Sequence, residues 1–191
     1  MRRVNLALQG GGAHGAFTWG VLDRLLQADD LEIAAISGTS AGALNGAALK
    51  AGMMAGGPEA ARKRLDRLWD RVGVIGDLRM VPWMQAFLPA VRFWQSAAQV
   101  VLPISAQGLA AQLYSPYAWG QGWQNPLEPV VRDLDFAGVC AEAGPRLFVS
   151  ATNVRTGKIK VFSGASITPE ALLASACLPT VFQAVEIDGE A

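Results

Sequence analysis

Hydrophobic and polar positions near the start of the chain repeat one pattern twice: a short buried strand, a turn and a helix. Residues 3–8 form an apolar run of strand length, and residues 15–27 then place five apolar side chains at helical spacing. Residues 31–37 repeat the strand pattern, and an alanine-rich helix follows from about residue 41 to residue 51. Two such units in succession predict parallel strands joined by right-handed crossovers.

The later part of the chain continues this alternation. Residues 58–72 place leucine and tryptophan on one face of an amphipathic helix. Residues 146–152 and 158–162 are typical of strands that flank a turn at Gly157. Residues 169–177 predict a short helix that ends before a proline. The pattern as a whole predicts a single α/β domain over residues 1–191.

The segment 76–126 breaks the pattern. Four of the six tryptophans of the chain lie here, and prolines divide the segment into short pieces. We interpret it as an insertion over the sheet. Its apolar side chains suit a lid that meets a lipid surface, but an ordinary satellite core under a long insertion is the simpler interpretation.

Composition narrows the class of protein. Hydrophobic residues make up 51% of the 191 residues, which is too many for a disordered chain. The formal net charge is +0, which argues against a partner held through nucleic-acid phosphates. Cys140 and Cys177 lie far apart with no histidine nearby, so we expect two free thiols and no metal site. We find no secretory signal and no apolar run of membrane-spanning length, and we expect a cytoplasmic protein with peripheral membrane contact.

The strongest local motif is Gly38-Thr39-Ser40-Ala41-Gly42, placed between a predicted strand and a predicted helix. G-x-S-x-G in this position is typical of a nucleophile elbow, where Gly38 and Gly42 leave room around a strained serine. A helix that begins after Ser40 also directs its positive dipole end at developing negative charge. The alternative is a plain serine cap of the helix.

A nucleophilic serine needs a base. The single histidine, His14, precedes Ser40, whereas the usual α/β-hydrolase order places the acid and the histidine after the serine. Unless the chain is truncated, that triad is excluded. The base is therefore either His14 or a carboxylate in a Ser–Asp dyad, and a helix-start residue without a role in proton transfer is the simpler interpretation of His14.

The glycines at positions 10, 12 and 15 have the spacing G-x-G-x-x-G, which usually cradles a dinucleotide pyrophosphate. A ribose-binding carboxylate is then needed at the end of the second strand, but Ser40 and its flanking residues occupy that place. Adjacent strand–helix turns meet at the carboxyl edge of a parallel sheet. The amides of Gly10, Gly11 and Gly12 could therefore form an oxyanion hole for a carbonyl attacked by Ser40.

Taken together, GGGAHG, GTSAG and the stretch ALLASACLPTVFQAVEIDG resemble the patatin-like phospholipase family. The resemblance spans nearly the whole chain and is weakest over 76–126. It implies a three-layer α/β/α sandwich with a mainly parallel sheet and a Ser–Asp dyad that hydrolyses acyl esters of lipids. It also implies an oxyanion hole at Gly10–Gly12. Many members carry Arg or Lys at the position of His14.

The family's catalytic aspartate lies in a D-G-G or D-G-A motif, whereas this chain offers Asp188-Gly189-Glu190 close to its end. The surrounding residues favour a tight Asp-Gly hairpin turn. We therefore hypothesise that residues 1–191 are a fragment whose dyad aspartate lies beyond residue 191. The alternative is that Asp188 is itself the base.

The predicted function is a serine carboxylic-ester hydrolase, of the phospholipase A, lysophospholipase or esterase type, that acts on lipids without a metal or an organic cofactor. Two other hypotheses remain open. One is a nucleotide-binding α/β domain that uses Gly10–Gly15 on phosphate. The other is a lipid-binding relative without catalysis.

Overall fold

The structure is a computed structural model that describes residues 1–77, 117, 124–178 and 182–191. Most of the predicted insertion at 76–126 lies outside these residues. No helix in the described part of the chain is both long enough and apolar enough to cross a membrane.

The described residues contain a four-stranded sheet, in the order β1-β2-β3-β4. Its strands are β1 (Arg2–Leu8), β2 (Leu31–Gly38), β3 (Arg146–Thr152) and β4 (Ile159–Ser163). The first three strands run parallel and β4 runs antiparallel to β3. The carboxyl ends of β1, β2 and β3 therefore lie at one edge of the sheet.

The helices follow the strands in the predicted alternation. They are α1 (Gly15–Leu25), α2 (Ala41–Asp77), α3 (Glu128–Arg132), α4 (Phe136–Cys140) and α5 (Pro169–Ser175). Non-helical backbone at Gly56 and Gly57 divides α2 into two segments, which correspond to the two helices that the sequence predicts. A 3-10 turn at Gly12–His14 precedes α1.

Small residues allow α2 to approach the sheet closely. Ala43 and Ala47 are fully buried, and a Cβ atom at Gly46 would lie 2.9 Å from Leu147 Cδ1 and 3.0 Å from Ile36 Cγ2. The side chains in this contact all belong to the hydrophobic core. The first segment of α2, which begins at the candidate site, is therefore fixed by dense packing rather than by surface contacts.

The prediction of an α/β fold with a mainly parallel sheet is confirmed. Three details differ from the sequence-based predictions. Phe17 is 79% exposed, because the buried residues of α1 are Gly15 and Leu22. The helices α3 and α4 were not predicted, since five residues are too few for a helical period to be recognised.

Lys50 is a buried cation on the first segment of α2. Its side chain is 3% exposed and its Nζ donates a hydrogen bond to the carbonyl oxygen of Ala141 at 2.6 Å. Burial lowers the pKa of Lys50, and the neighbouring Cys140 acts weakly in the opposite direction. Burial also raises the pKa of the Cys140 thiol, which donates to the carbonyl oxygen of Ile167.

We expect Lys50→Met to flatten the rise of stability with pH. Between the lowered pKa of Lys50 and its ordinary value, the unfolded chain binds more protons than the folded chain. Within this pH window, Lys50 therefore makes the free energy of unfolding of the wild type increase with pH. The raised pKa of Cys140 acts against this gain, and more so in Lys50→Met, because the charge of Lys50 lowers the pKa of that thiol in the wild type.

Denaturant unfolding at several pH values from neutral upward checks this expectation. The free energy of unfolding of the wild type should rise with pH relative to Lys50→Met. Lys63→Met, which removes an exposed ammonium from the same helix, is the matched control. Parallel pH profiles for the wild type and Lys50→Met would contradict the expectation.

Candidate active site

Ser40 occupies the turn between β2 and α2, and we call residues 38–42 the serine turn. The φ angle of Ser40 is 56°, in the left-handed region that costs a non-glycine residue roughly 1–2 kcal/mol. Such strain persists only where the surroundings enforce it, and it concentrates at functional sites. The side chain is half-buried and lies at the carboxyl edge of the sheet, ahead of the first turn of α2.

The two glycines of the serine turn have no room for a side chain. A Cβ atom at Gly38 would lie 2.5 Å from the carbonyl oxygen of Gly42. A Cβ atom at Gly42 would overlap the carbonyl oxygen of Leu8 and lie 2.6 Å from its carbonyl carbon. These contacts press the start of α2 against the end of β1, so the sequence G-x-S-x-G is a packing requirement as well as a motif.

The glycine loop, residues 10–12, lies directly beside Ser40. A Cβ atom at Gly10 would be 3.1 Å from Ser40 Cβ and 3.0 Å from the carbonyl oxygen of Thr39. Gly11 and Gly12 have φ angles of 152° and 56°, which L side chains rarely adopt. The structure thus brings together the two motifs that the sequence placed on adjacent turns.

The backbone amides of the glycine loop are available to a ligand. Among the described residues, neither Gly10 nor Gly11 donates its N–H in a hydrogen bond. Gly12 opens the 3-10 turn, and Ala41 opens α2 and so has no intrahelical acceptor. Free amides beside a serine hydroxyl can stabilise a nearby anion by hydrogen bonding.

His14 belongs to the 3-10 turn and precedes the first residue of α1. Its ring is exposed, and Nδ1 lies 3.1 Å from the carbonyl oxygen of Gly11, so Nδ1 is the donor in this contact. Within the described residues His14 makes no hydrogen bond to Ser40. Its contact stabilises the conformation of the glycine loop.

Two further serines contact the serine turn, and neither of them was predicted from the sequence to have a role. Ser175, at the end of α5, accepts the backbone N–H of Ser40 at 2.9 Å. Ser150, in β3, lies 2.5 Å from Thr39 through the two hydroxyl oxygens. Ser175 belongs to the stretch that carried the family resemblance, whereas nothing in the sequence singled out Ser150.

Asp188 lies in a two-residue turn with Gly189, with φ angles of 56° and 78°. Ile187 and Glu190 close the turn through two backbone hydrogen bonds of 2.8 and 3.0 Å. This agrees with the predicted Asp-Gly hairpin turn, although the flanking residues form a single bridge rather than strands. In the described part of the chain, no carboxylate makes a hydrogen bond with the hydroxyl of Ser40.

A cleft of about 310 Å³ lies beside the serine turn and is lined by Gln9, Thr39, Phe148 and Val161, among others. Its walls are mostly apolar side chains and strand backbone. In the described residues no group of histidine, cysteine and acidic side chains is arranged to hold a metal ion.

The fold and the site define an α/β protein whose mainly parallel sheet carries a serine turn and a glycine loop at its carboxyl edge. The chain belongs to the patatin-like phospholipase family, whose family model matches residues 6–191.

The chain is also similar to two solved structures. The type III effector protein ExoU is 19% identical, with a TM-score of 0.43, and the match covers 93% of this chain and 40% of that chain. The ExoU–SpcU complex from the type III secretion system of Pseudomonas aeruginosa is also 19% identical, with a TM-score of 0.41, covering 96% and 38%. The chain thus spans about two fifths of the length of these proteins. No curated protein matches it.

Proposed function

We propose that the protein is a serine acyl hydrolase that cleaves carboxylic esters of lipids, with Ser40 as the nucleophile. The observation that carries the proposal is the strained backbone of Ser40, held between β2 and α2 with Gly10 packed against it. Membership of the patatin-like phospholipase family supports lipid esters as the substrate class.

In the proposed reaction, the Ser40 hydroxyl attacks the acyl carbonyl and a carboxylate takes its proton. The carbonyl oxygen becomes an oxyanion, which the amides of Gly10, Gly11 and Gly12 stabilise together with the N-terminal dipole of α2. The tetrahedral intermediate collapses to an acyl-enzyme and releases the alcohol. Water then hydrolyses the acyl-enzyme and regenerates the Ser40 hydroxyl.

We propose a Ser–Asp dyad whose aspartate lies outside residues 1–191. Asp188 is the weaker candidate, since its conformation is that of a hairpin turn and it makes no hydrogen bond to Ser40 among the described residues. Ester turnover by a chain extended past Ala191, combined with no turnover by residues 1–191, supports this assignment. Turnover by residues 1–191 that is lost in Asp188→Asn overturns it.

A fluorophosphonate probe with peptide mapping, applied to the chain extended past Ala191 that carries the proposed dyad aspartate, tests the main proposal. We expect covalent labelling at Ser40, no labelling of Ser40→Ala, and normal labelling of Ser37→Ala, which removes an exposed hydroxyl three residues earlier in β2. Tight binding of NAD or ATP without labelling would instead favour the nucleotide-binding hypothesis.

We also propose that the protein meets its substrate at a lipid surface. Phe17, on the helix that follows the glycine loop, is 79% exposed, and Leu178, shortly after α5, is 54% exposed. Exposed apolar side chains on elements that border a site favour interfacial contact. Co-sedimentation with phosphatidylcholine vesicles, run alongside the labelling assay, checks this; binding that is unchanged in Phe17→Ser would contradict it for Phe17.

A further inference from the structure

The backbone N–H of Ser40 has a partner that neither the sheet nor the helix supplies. Ser40 lies two residues beyond the end of β2 and immediately before α2, so its amide is outside both hydrogen-bonding patterns. Ser175 Oγ accepts this N–H at 2.9 Å. The contact joins residues 135 positions apart in the chain.

Ser175 is itself held rigidly by α5. Leu172 is fully buried and Leu173 is 6% exposed, which anchors the helix in the core. At the other end, the side chain of Thr168 caps α5 by accepting the N–H of Ala171 at 3.2 Å. Ser175 is the last residue of this short helix and is 8% exposed, so its hydroxyl is presented to Ser40 from a fixed position.

The hydrogen bond restrains the backbone of Ser40, which has an unfavourable φ angle. A φ angle of 56° is unfavourable for serine and is retained only when surrounding contacts hold the backbone in place. An unpaired amide in this half-buried turn would favour a rearrangement that exposes it to water. Ser150 contacts the turn as well, but through the side chain of Thr39 rather than through the backbone of Ser40.

We propose that Ser175 is a positioning residue that fixes the backbone of the nucleophile and thereby keeps the Ser40 hydroxyl beside the glycine loop. This inference rests on the proposed function of Ser40. It has a second consequence: because Ser175 occupies the amide of Ser40, the oxyanion is bound by the amides of the glycine loop and not by the amide of Ser40 itself.

Two measurements test the proposal, both on the chain extended past Ala191, which carries the proposed dyad aspartate. The first is hydrogen exchange at the Ser40 amide, followed by NMR, which does not depend on activity. The second is the kinetics of fluorophosphonate labelling, separated into the maximal rate of inactivation and the probe concentration that gives half of that rate. Ser166→Ala is the matched control, since Ser166 Oγ also accepts a backbone N–H, from Ser163 at 2.8 Å. Ser163 ends β4, which β3 separates from the strand that leads to Ser40.

For Ser175→Ala we expect exchange at the Ser40 amide to accelerate about tenfold or more, and the maximal labelling rate to fall by a similar factor. The half-saturating probe concentration should stay unchanged, because Ser175 does not touch the probe. Ser175→Thr, which keeps the hydroxyl, should restore most of the rate. Ser166→Ala should leave both measurements at the wild-type level.

Three results would overturn the proposal: wild-type exchange at the Ser40 amide in Ser175→Ala, a wild-type labelling rate in that variant, or equally faster exchange at core amides such as that of Leu65. The last would show a general loss of stability. A wild-type protein that is not labelled at all refutes the proposed function instead, while the exchange data still decide whether Ser175 holds the amide.

Discussion

Gly42→Ala is expected to lower the free energy of unfolding by at least about 3 kcal/mol, a large part of the roughly 5–15 kcal/mol of a typical domain. The new Cβ atom would overlap the carbonyl oxygen of Leu8 and lie 2.9 Å from the carbonyl oxygen of Gln9. These are backbone atoms at the end of β1, so they cannot move aside as a flexible side chain could. Relief requires α2 to move away from the sheet.

Gly20→Ala is the matched control for this substitution. Gly20 is exposed in α1, and a Cβ atom there would meet nothing within 4 Å. Alanine in place of glycine inside a helix should stabilise the protein by about 0.5–1 kcal/mol. Denaturant unfolding of both variants measures the difference. Equal stabilities of Gly42→Ala and wild type would show that α2 approaches β1 less closely than the structure shows.

The local parts of the fold could be predicted because short-range patterns encode them. The strand, glycine loop and helix at the start of the chain are contiguous, and so are β2, the serine turn and α2. The kink in α2 was also foreseen as a gap between two predicted helices, since Gly56, Gly57 and Pro58 interrupt the helical period. Placing Gly10 beside Ser40 needed only the rule that adjacent parallel strands end at the same edge.

The contacts that support the serine turn could not be predicted in this way. The hydrogen bonds of Thr39 with Ser150 and of Ser40 with Ser175 join residues 111 and 135 positions apart. Serine has no periodicity that marks such a partner, and its hydroxyl is equally suited to a helix cap or a turn. Only the packing of α5 and β3 around the start of α2 selects these two hydroxyls.

Asn45→Leu is expected to destabilise the protein by about 2–4 kcal/mol and to slow labelling at Ser40. The Asn45 side chain is fully buried; its Nδ2 donates to the carbonyl oxygen of Gly15 at 3.0 Å and its Oδ1 accepts Trp69 Nε1–H at 2.8 Å. It thus connects the start of α1 with both segments of α2. Leucine has a similar volume but leaves the N–H of the half-buried Trp69 and one Gly15 lone pair without partners.

A double-mutant cycle separates the hydrogen bond from the packing. Trp69→Phe removes only the indole N–H and part of the ring, so the double variant lacks both partners of that bond and should cost at least about 1 kcal/mol less than the sum of the single variants. Asn5→Leu, at an exposed position of β1, is the control and should change stability by no more than about 0.5 kcal/mol. Strict additivity of the two substitutions would contradict the hydrogen bond between Asn45 and Trp69.

The effect on labelling has a separate cause. Gly15 directly follows the 3-10 turn, so loss of its hydrogen bond to Asn45 allows the glycine loop to move relative to Ser40. The labelling rate should therefore fall in Asn45→Leu at temperatures where the variant is still folded.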